Sequence, residues 1–136
     1  MANPDIRWKQ RFHNFCLAYS QLEKFMEKSE LNEFEEQGLI QSFEYNFELA
    51  WNTIKDFCEY QGETNLQGSK DAIRLAYKRG LLVNGEIWMD MLASRVLTSH
   101  TYQLQTARQV VADIKEKFFE QFTVFRNTMS AYMDQK

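Results

Sequence analysis

Residues 104–132 read LQTARQVVADIKEKFFEQFTVFRNTMSAY, and in them Leu104, Ala107, Val111, Ile114, Phe118, Phe122, Phe125, Met129 and Tyr132 recur at steps of three and four. Side chains at those steps fall on the same side of a 3.6-residue turn, so the stretch predicts a helix of about eight turns with one apolar stripe. Such a stripe has to be buried against others like it. The stretch therefore decides the fold class, and the remaining chain is read for the helices that complete it.

Working toward the N-terminus, Ile87, Trp88, Met91 and Leu92 begin a shorter helix after an Asn84-Gly85 turn. Ala72, Ile73, Ala76 and Tyr77 mark another short helix, with Ser69 expected as its cap, Gly80 as its stop and Leu81 as the apolar contact that accompanies a glycine C-cap. Gly62 to Gly68 is polar and reads as a loop. Ile40, Phe43, Phe47, Ala50, Trp51, Ile54 and Phe57 form the stripe of a long helix ended near Gly62. That helix starts in an acidic connection containing Glu27, Glu30, Glu33, Glu35 and Glu36, where Asn32 and Glu35 have capping-box spacing. Trp8, Phe12, Phe15, Tyr19, Leu22 and Met26 place the first helix over about residues 5–28. The expected fold is all-α, an antiparallel four- or five-helix up-and-down bundle, with a single domain over residues 1–136.

Composition agrees. The chain of 136 residues is 44% hydrophobic and 15% aromatic and holds one proline and five glycines, which excludes disorder and suits long helices. A net charge of −3 argues against a surface that grips nucleic acid all round and directs attention to local patches. No apolar run approaches the roughly 18 residues of a membrane span and no leader precedes the first stripe, so the chain reads as cytoplasmic with no membrane partner. Phe25, Phe34, Tyr45, Tyr60 and Phe119 lie off the main stripes, a surplus that a homodimer or another subunit would cover.

The chemistry is read by elimination first. Cys16 and Cys58 form no CxxC and read as buried thiols. His13 and Cys16 share a helical face but make an incomplete metal site, neither histidine follows a glutamate by three, and no metal site or cofactor is expected. There is no glycine-rich phosphate loop and no GxSxG elbow, so the chain carries no self-contained nucleotidyltransferase, kinase or hydrolase site.

Three features remain. Glu44, Glu48 and Trp51 project from one strip of the second helix; they are either a solvated face or a pair of carboxylates that orient Arg74 or Arg95. Lys70, Arg74 and Lys78 recur every fourth residue, either as a surface stripe paired with the acidic connection or as a draw for a phosphate-bearing ligand. In residues 94–102, Arg95, Thr98, Ser99 and Tyr102 share a face if the helix continues, with His100 about 140° away from Arg95. If Thr98 or Ser99 instead caps the last helix, Arg95, His100 and its first amides converge on an anion site. The alternative is a hydrogen-bonded structural histidine.

Arg95 to Tyr102 resembles the R-x4-H-x-Y signature of HEPN domains, the helical halves of HEPN/MNT gene pairs. With residues 41–51, 71–76, 80–82 and 85–88, it is similar to the nucleotidyltransferase substrate-binding protein family over about residues 5–130. The resemblance implies a dimerising bundle beside a separately encoded minimal nucleotidyltransferase that supplies the metal-binding carboxylates and handles ATP. It implies substrate or partner contacts at Glu44, Glu48, Trp51, Arg74, Arg95, Ser99, His100 and Tyr102, with a nucleotide or RNA as ligand. It also implies a second role, a metal-independent ribonuclease toxin in which His100 is general acid or base, Arg95 stabilises phosphate charge, and Tyr102 is the residue adenylylated by the partner. HEPN nucleases usually carry a polar residue after the arginine; here it is Val96, which can neither donate nor accept a hydrogen bond through its side chain.

Overall fold

In the computed structural model, which describes residues 4–134, the chain runs α1 (Pro4–Met26), α2 (Glu33–Tyr60), α3 (Ser69–Lys78), α4 (Gly85–Leu97), a 3-10 turn (Thr98–His100), α5 (Leu104–Asp113), a π turn (Ile114–Phe118) and α6 (Phe119–Met133). No strand occurs among the described residues, and the architecture is the expected all-α helical bundle. The single domain and leaderless N-terminus expected from the sequence take in residues 1–3 and 135–136, which lie outside the described residues. No helix among the described residues is long and apolar enough to cross a membrane.

Pro4 opens α1, where its missing N–H is not needed. Trp8, Phe12, Phe15, Tyr19 and Leu22 are all buried; α1 packs along α2, where Trp8 meets Phe57 edge-on at 4.9 Å, and its Phe15 and Tyr19 rings meet Phe125 and Phe119 of α6. The capping box of α2 forms as read: the Glu35 N–H donates to Asn32 Oδ1 at 2.8 Å, and the Asn32 N–H donates to Glu35 Oε1 at 2.9 Å. α3 ends as read too, with Gly80 at a φ of +79° that only glycine adopts freely and Leu81 buried behind it. Ser69 is not the cap of α3; Gly68 holds that position, and Ser69 is the first helical residue.

α5 and α6 are one column, joined by the π turn at Ile114–Phe118. Its cause is legible in the stripe. Ile114, Phe118 and Phe122 follow one another at two consecutive steps of four, which drifts about 80° around a regular α-helix, and one wider turn absorbs that drift. All three residues are fully buried as a result.

Rings fill the interior. Phe122 lies 6.1 Å from Phe15, 6.2 Å from Phe43 and 5.6 Å from Trp88, the last edge-on. Phe118 stacks on Phe43 at 5.3 Å and Phe125 meets Phe15 edge-on at 5.1 Å. Of the five aromatic residues off the stripes, Phe25 and Phe119 pack against this core, while Phe34, Tyr45 and Tyr60 are exposed.

Candidate functional site

Two of the three sequence features, the α2 glutamates and the segment that begins at Ser94, meet where the middle of α2 meets the end of α4. Glu44 and Glu48, one turn apart on α2, both reach Arg95 on α4: Arg95 Nη1 lies 2.9 Å from Glu44 Oε2, and Arg95 Nε donates to Glu48 Oε1 at 3.2 Å. Two like charges at that spacing repel, and the guanidinium between them removes the repulsion. Trp51 Nε1 donates to Glu48 Oε2 at 2.9 Å, fixing the second carboxylate from behind. Of the two arginines weighed as partners of these glutamates, Arg95 is the one they hold. Arg74 lies apart, exposed on α3.

Thr98, expected from the sequence either on the Arg95 face or as a cap of the last helix, completes the cluster. Its hydroxyl accepts from Arg95 Nη1 at 3.0 Å and donates to the Arg95 carbonyl at 2.7 Å, with Glu44 Oε2 3.3 Å away. The signal was available, since a threonine three residues after an arginine shares its helical face. All of these groups sit at the boundary of the fold, about a third to a half exposed except for buried Thr98, so the ion pairs are screened by water.

The caps proposed for the last helix do not form. Thr98 turns back to Arg95, the Ser99 hydroxyl donates to the Val96 carbonyl at 3.0 Å, and the Thr101 hydroxyl to the Thr98 carbonyl at 3.1 Å. Hydroxyls take the carbonyl of their own preceding turn when it is nearer than any amide. These bonds tighten residues 98–100 into the 3-10 turn, and α5 starts at a Gln103 cap without a side-chain bond. Gln37 Nε2 on α2 ties the turn down through the Thr101 carbonyl at 3.1 Å. Arg95 therefore faces the α2 carboxylates rather than free helix amides, and the convergent anion site is absent from this arrangement.

His100 and Tyr102 project outward from the turn. Both are exposed, their rings 6.0 Å apart and His100 Nδ1 3.5 Å from Tyr102 Oη, the outer edge of hydrogen-bond reach. Tyr102 presents 77% of its surface to solvent, so its phenol is open to a reagent or partner. Val96, the residue after Arg95, is exposed and its side chain supplies no polar atom.

Elsewhere the chemistry is quiet. Cys58 is buried and Cys16 half-buried, both as free thiols; burial pushes both thiols up, against a smaller lowering by Arg126 at Cys16 and by Arg79 at Cys58. His13 is exposed, and no group of three or more His, Cys, Asp or Glu among the described residues is placed to hold a metal ion.

Known proteins resemble the chain in sequence and in fold. A probable ribonuclease HepT of Haemophilus influenzae is 31% identical over 87 residues, covering 61% of this chain; the chain thus spans 60% of that relative's length. A Thermus thermophilus protein of known structure superposes with a TM-score of 0.74 at 23% identity, over 89% of this chain and 99% of that one. A Haemophilus influenzae structure described as revealing the fold of a substrate binding domain of a nucleotidyltransferase superposes with a TM-score of 0.66 at 26% identity, over 94% of this chain and 99% of that one. Residues 10–131, carrying every helix from most of α1 to all but the end of α6, match the family described as nucleotidyltransferase substrate binding protein like, and the chain belongs to that family.

Proposed function

We propose that this chain is the helical substrate-binding subunit of a two-component minimal nucleotidyltransferase: it binds a separately encoded catalytic subunit and presents substrate to it from the turn that carries His100 and Tyr102. The observation that carries this reading is the state of Arg95. Its charge is already taken up by Glu44 and Glu48, so no uncompensated guanidinium stands ready to stabilise a phosphate beside His100. The exposed His100 and Tyr102, with Ser99 between them and Arg95, instead form a protruding contact for a partner active site. Metal and nucleotide belong to that partner, and this chain contributes neither. We place the protein in the cytoplasm as a single domain. Exposed Phe34, Tyr45 and Val96, together with Tyr102, support a homodimer; a monomeric mass by light scattering at micromolar concentration would remove that part.

A second reading has its own support in the similarity to a probable ribonuclease HepT. In it the chain is a metal-independent ribonuclease toxin: His100 takes or gives the proton at the ribose 2′-OH or leaving oxygen, Arg95 leaves the glutamates to stabilise the phosphate, and the nucleotidyltransferase acts as antitoxin by adenylylating Tyr102. One experiment separates the two. Cellular RNA is incubated with the purified protein in excess EDTA beside Arg95→Ala and His100→Ala, and the protein is tested for co-purification with the nucleotidyltransferase of its gene pair. The subunit reading expects no cleavage and a stable complex. Cleavage lost in both variants would establish the ribonuclease.

A further inference from the structure

Every residue from 96 to 105 is exposed except Thr98 and Thr101, which are buried. These two threonines are the footings of the turn that carries His100 and Tyr102. The Thr98 hydroxyl is held in the Arg95 cluster. Thr101 has a different anchor. Its hydroxyl is spent inside the turn on the Thr98 carbonyl, while its own carbonyl accepts from Gln37 Nε2 at 3.1 Å. Gln37, Glu44 and Glu48 follow one another on α2 at steps of seven and four, which puts them on one side of that helix. One side of α2 therefore grips the segment at both ends, at Arg95 through the carboxylates and at Thr101 through the amide.

Packing does not hold the second footing. Ser99, His100, Tyr102, Gln103 and Leu104 face solvent, and α5 regains the core only at Ala107. A crevice of about 40 Å³ lies between the starts of α2 and α5, with Glu36, Gln37, Thr101, Tyr102 and Leu104 among its walls. The bonds within the turn, from the Ser99 hydroxyl to the Val96 carbonyl at 3.0 Å and from the Gln103 N–H to the His100 carbonyl at 3.0 Å, set its shape. They do not set its direction against α2. Among the described residues, the Gln37 amide makes the only hydrogen bond from α2 to residues 99–103.

We infer that Gln37 is a positioning residue: its bond across the crevice fixes the direction in which the turn presents His100 and Tyr102, as the α2 carboxylates fix Arg95. The inference rests on the subunit reading, in which that turn is what the catalytic subunit engages. A single neutral hydrogen bond at the edge of the fold contributes little to global stability, so its loss acts on the turn and leaves the bundle folded. A turn held in one direction also binds more tightly than a loose one, because apparent affinity falls with the fraction of molecules in the competent arrangement.

The test compares the full chain with Gln37→Met, which keeps the length of the side chain without a donor, after folding is checked by circular dichroism. Amide hydrogen exchange is followed residue by residue by NMR, and affinity for the nucleotidyltransferase of the gene pair is measured by calorimetry. Gln37→Met should speed exchange of the Gln103 N–H by about two- to tenfold, the range of one neutral hydrogen bond, and leave the buried Ile54 and Phe122 amides unmoved. It should also weaken the complex about twofold or more. Equal acceleration at Ile54, Phe122 and Gln103 would mean a general loss of stability and overturns the inference. So does an unmoved Gln103 amide, and so does faster exchange at Gln103 with the complex unweakened, which leaves Gln37 a tie without influence on presentation. If the unaltered chain forms no complex, it is the subunit reading that fails, and exchange at Gln103 against Ile54 and Phe122 then decides the positioning by itself.

Discussion

Around Phe122 the bundle is held by rings from four helices, with Phe15, Phe43 and Trp88 all within 6.2 Å and no polar atom required. Around Arg95 the same α2 and α4 are joined by two carboxylates, an indole N–H and a hydroxyl, in contact with water. The first region is shut off and cannot be reached by a ligand; the second is stable enough to be ordered and open enough to be rearranged. A ring interior tolerates no loss of volume, because nothing moves in to fill the gap. A half-exposed ion pair gives up little when broken, because water replaces its contacts. That difference is why the proposed recognition role falls at the α2–α4 end rather than in the interior.

The largest effect should come from breaking the interior. Phe122→Ala is expected to destabilise the fold by about 3–5 kcal/mol, read as a lower urea midpoint at unchanged slope. A cost near 1 kcal/mol would mean that the rings repack, and the contrast between the regions would fail. Arg95→Gln should cost only about 1 kcal/mol, less in high salt, although it removes the centre of the cluster. Replacing Glu44 and Glu48 by glutamine in the same chain should recover most of that loss, since the two carboxylates are then no longer left facing each other. Failure to recover would show that Arg95 contributes through packing of its stem, not through its charge.

The smallest effect sharpens a different contrast, between polar contacts made within a helix and those made between helices. The Asn32 backbone N–H, and after it the Lys28 ammonium, hold the Glu35 carboxyl below its usual value. A depressed carboxyl contributes stability that is present above the unfolded-state value and is lost as pH falls through the lower folded-state one. Glu35→Gln should therefore lower stability slightly at neutral pH, leave it nearly unchanged at pH below the folded-state value, and so flatten the acid end of the stability curve. Urea midpoints across the acid range would measure it, and an unaltered acid limb would count against the capping box as its source.

How much was legible follows the range of the interactions. The stripes of α1, α2 and α5–α6 could be read because each needs only a step of three or four. The Asn32–Glu35 box and the Gly80–Leu81 stop are equally local. The π turn was in the 114–118–122 spacing as well, though a stripe drawn as one regular helix passed over it. Ser69 and the hydroxyls of Thr98 and Ser99 were harder, because each had more than one backbone partner within reach. Their choice depended on where the chain turned, and Gly68, the Arg95 carbonyl and the Val96 carbonyl settled it. The pairing of Arg95 with Glu44 and Glu48 could be posed from the sequence but not decided against Arg74, since the partners lie 47 and 51 residues apart.

By itself, then, the sequence determined the helices, their buried faces and the signature that marks the family, because periodicity and signature spacing are properties of neighbouring residues. The tertiary structure decided that Arg95 is held by the carboxylates of α2 and that His100 and Tyr102 stand outside on a tight turn. Those outcomes depend on which helix faces which and on what solvent reaches, and both are fixed only when the stripes pack.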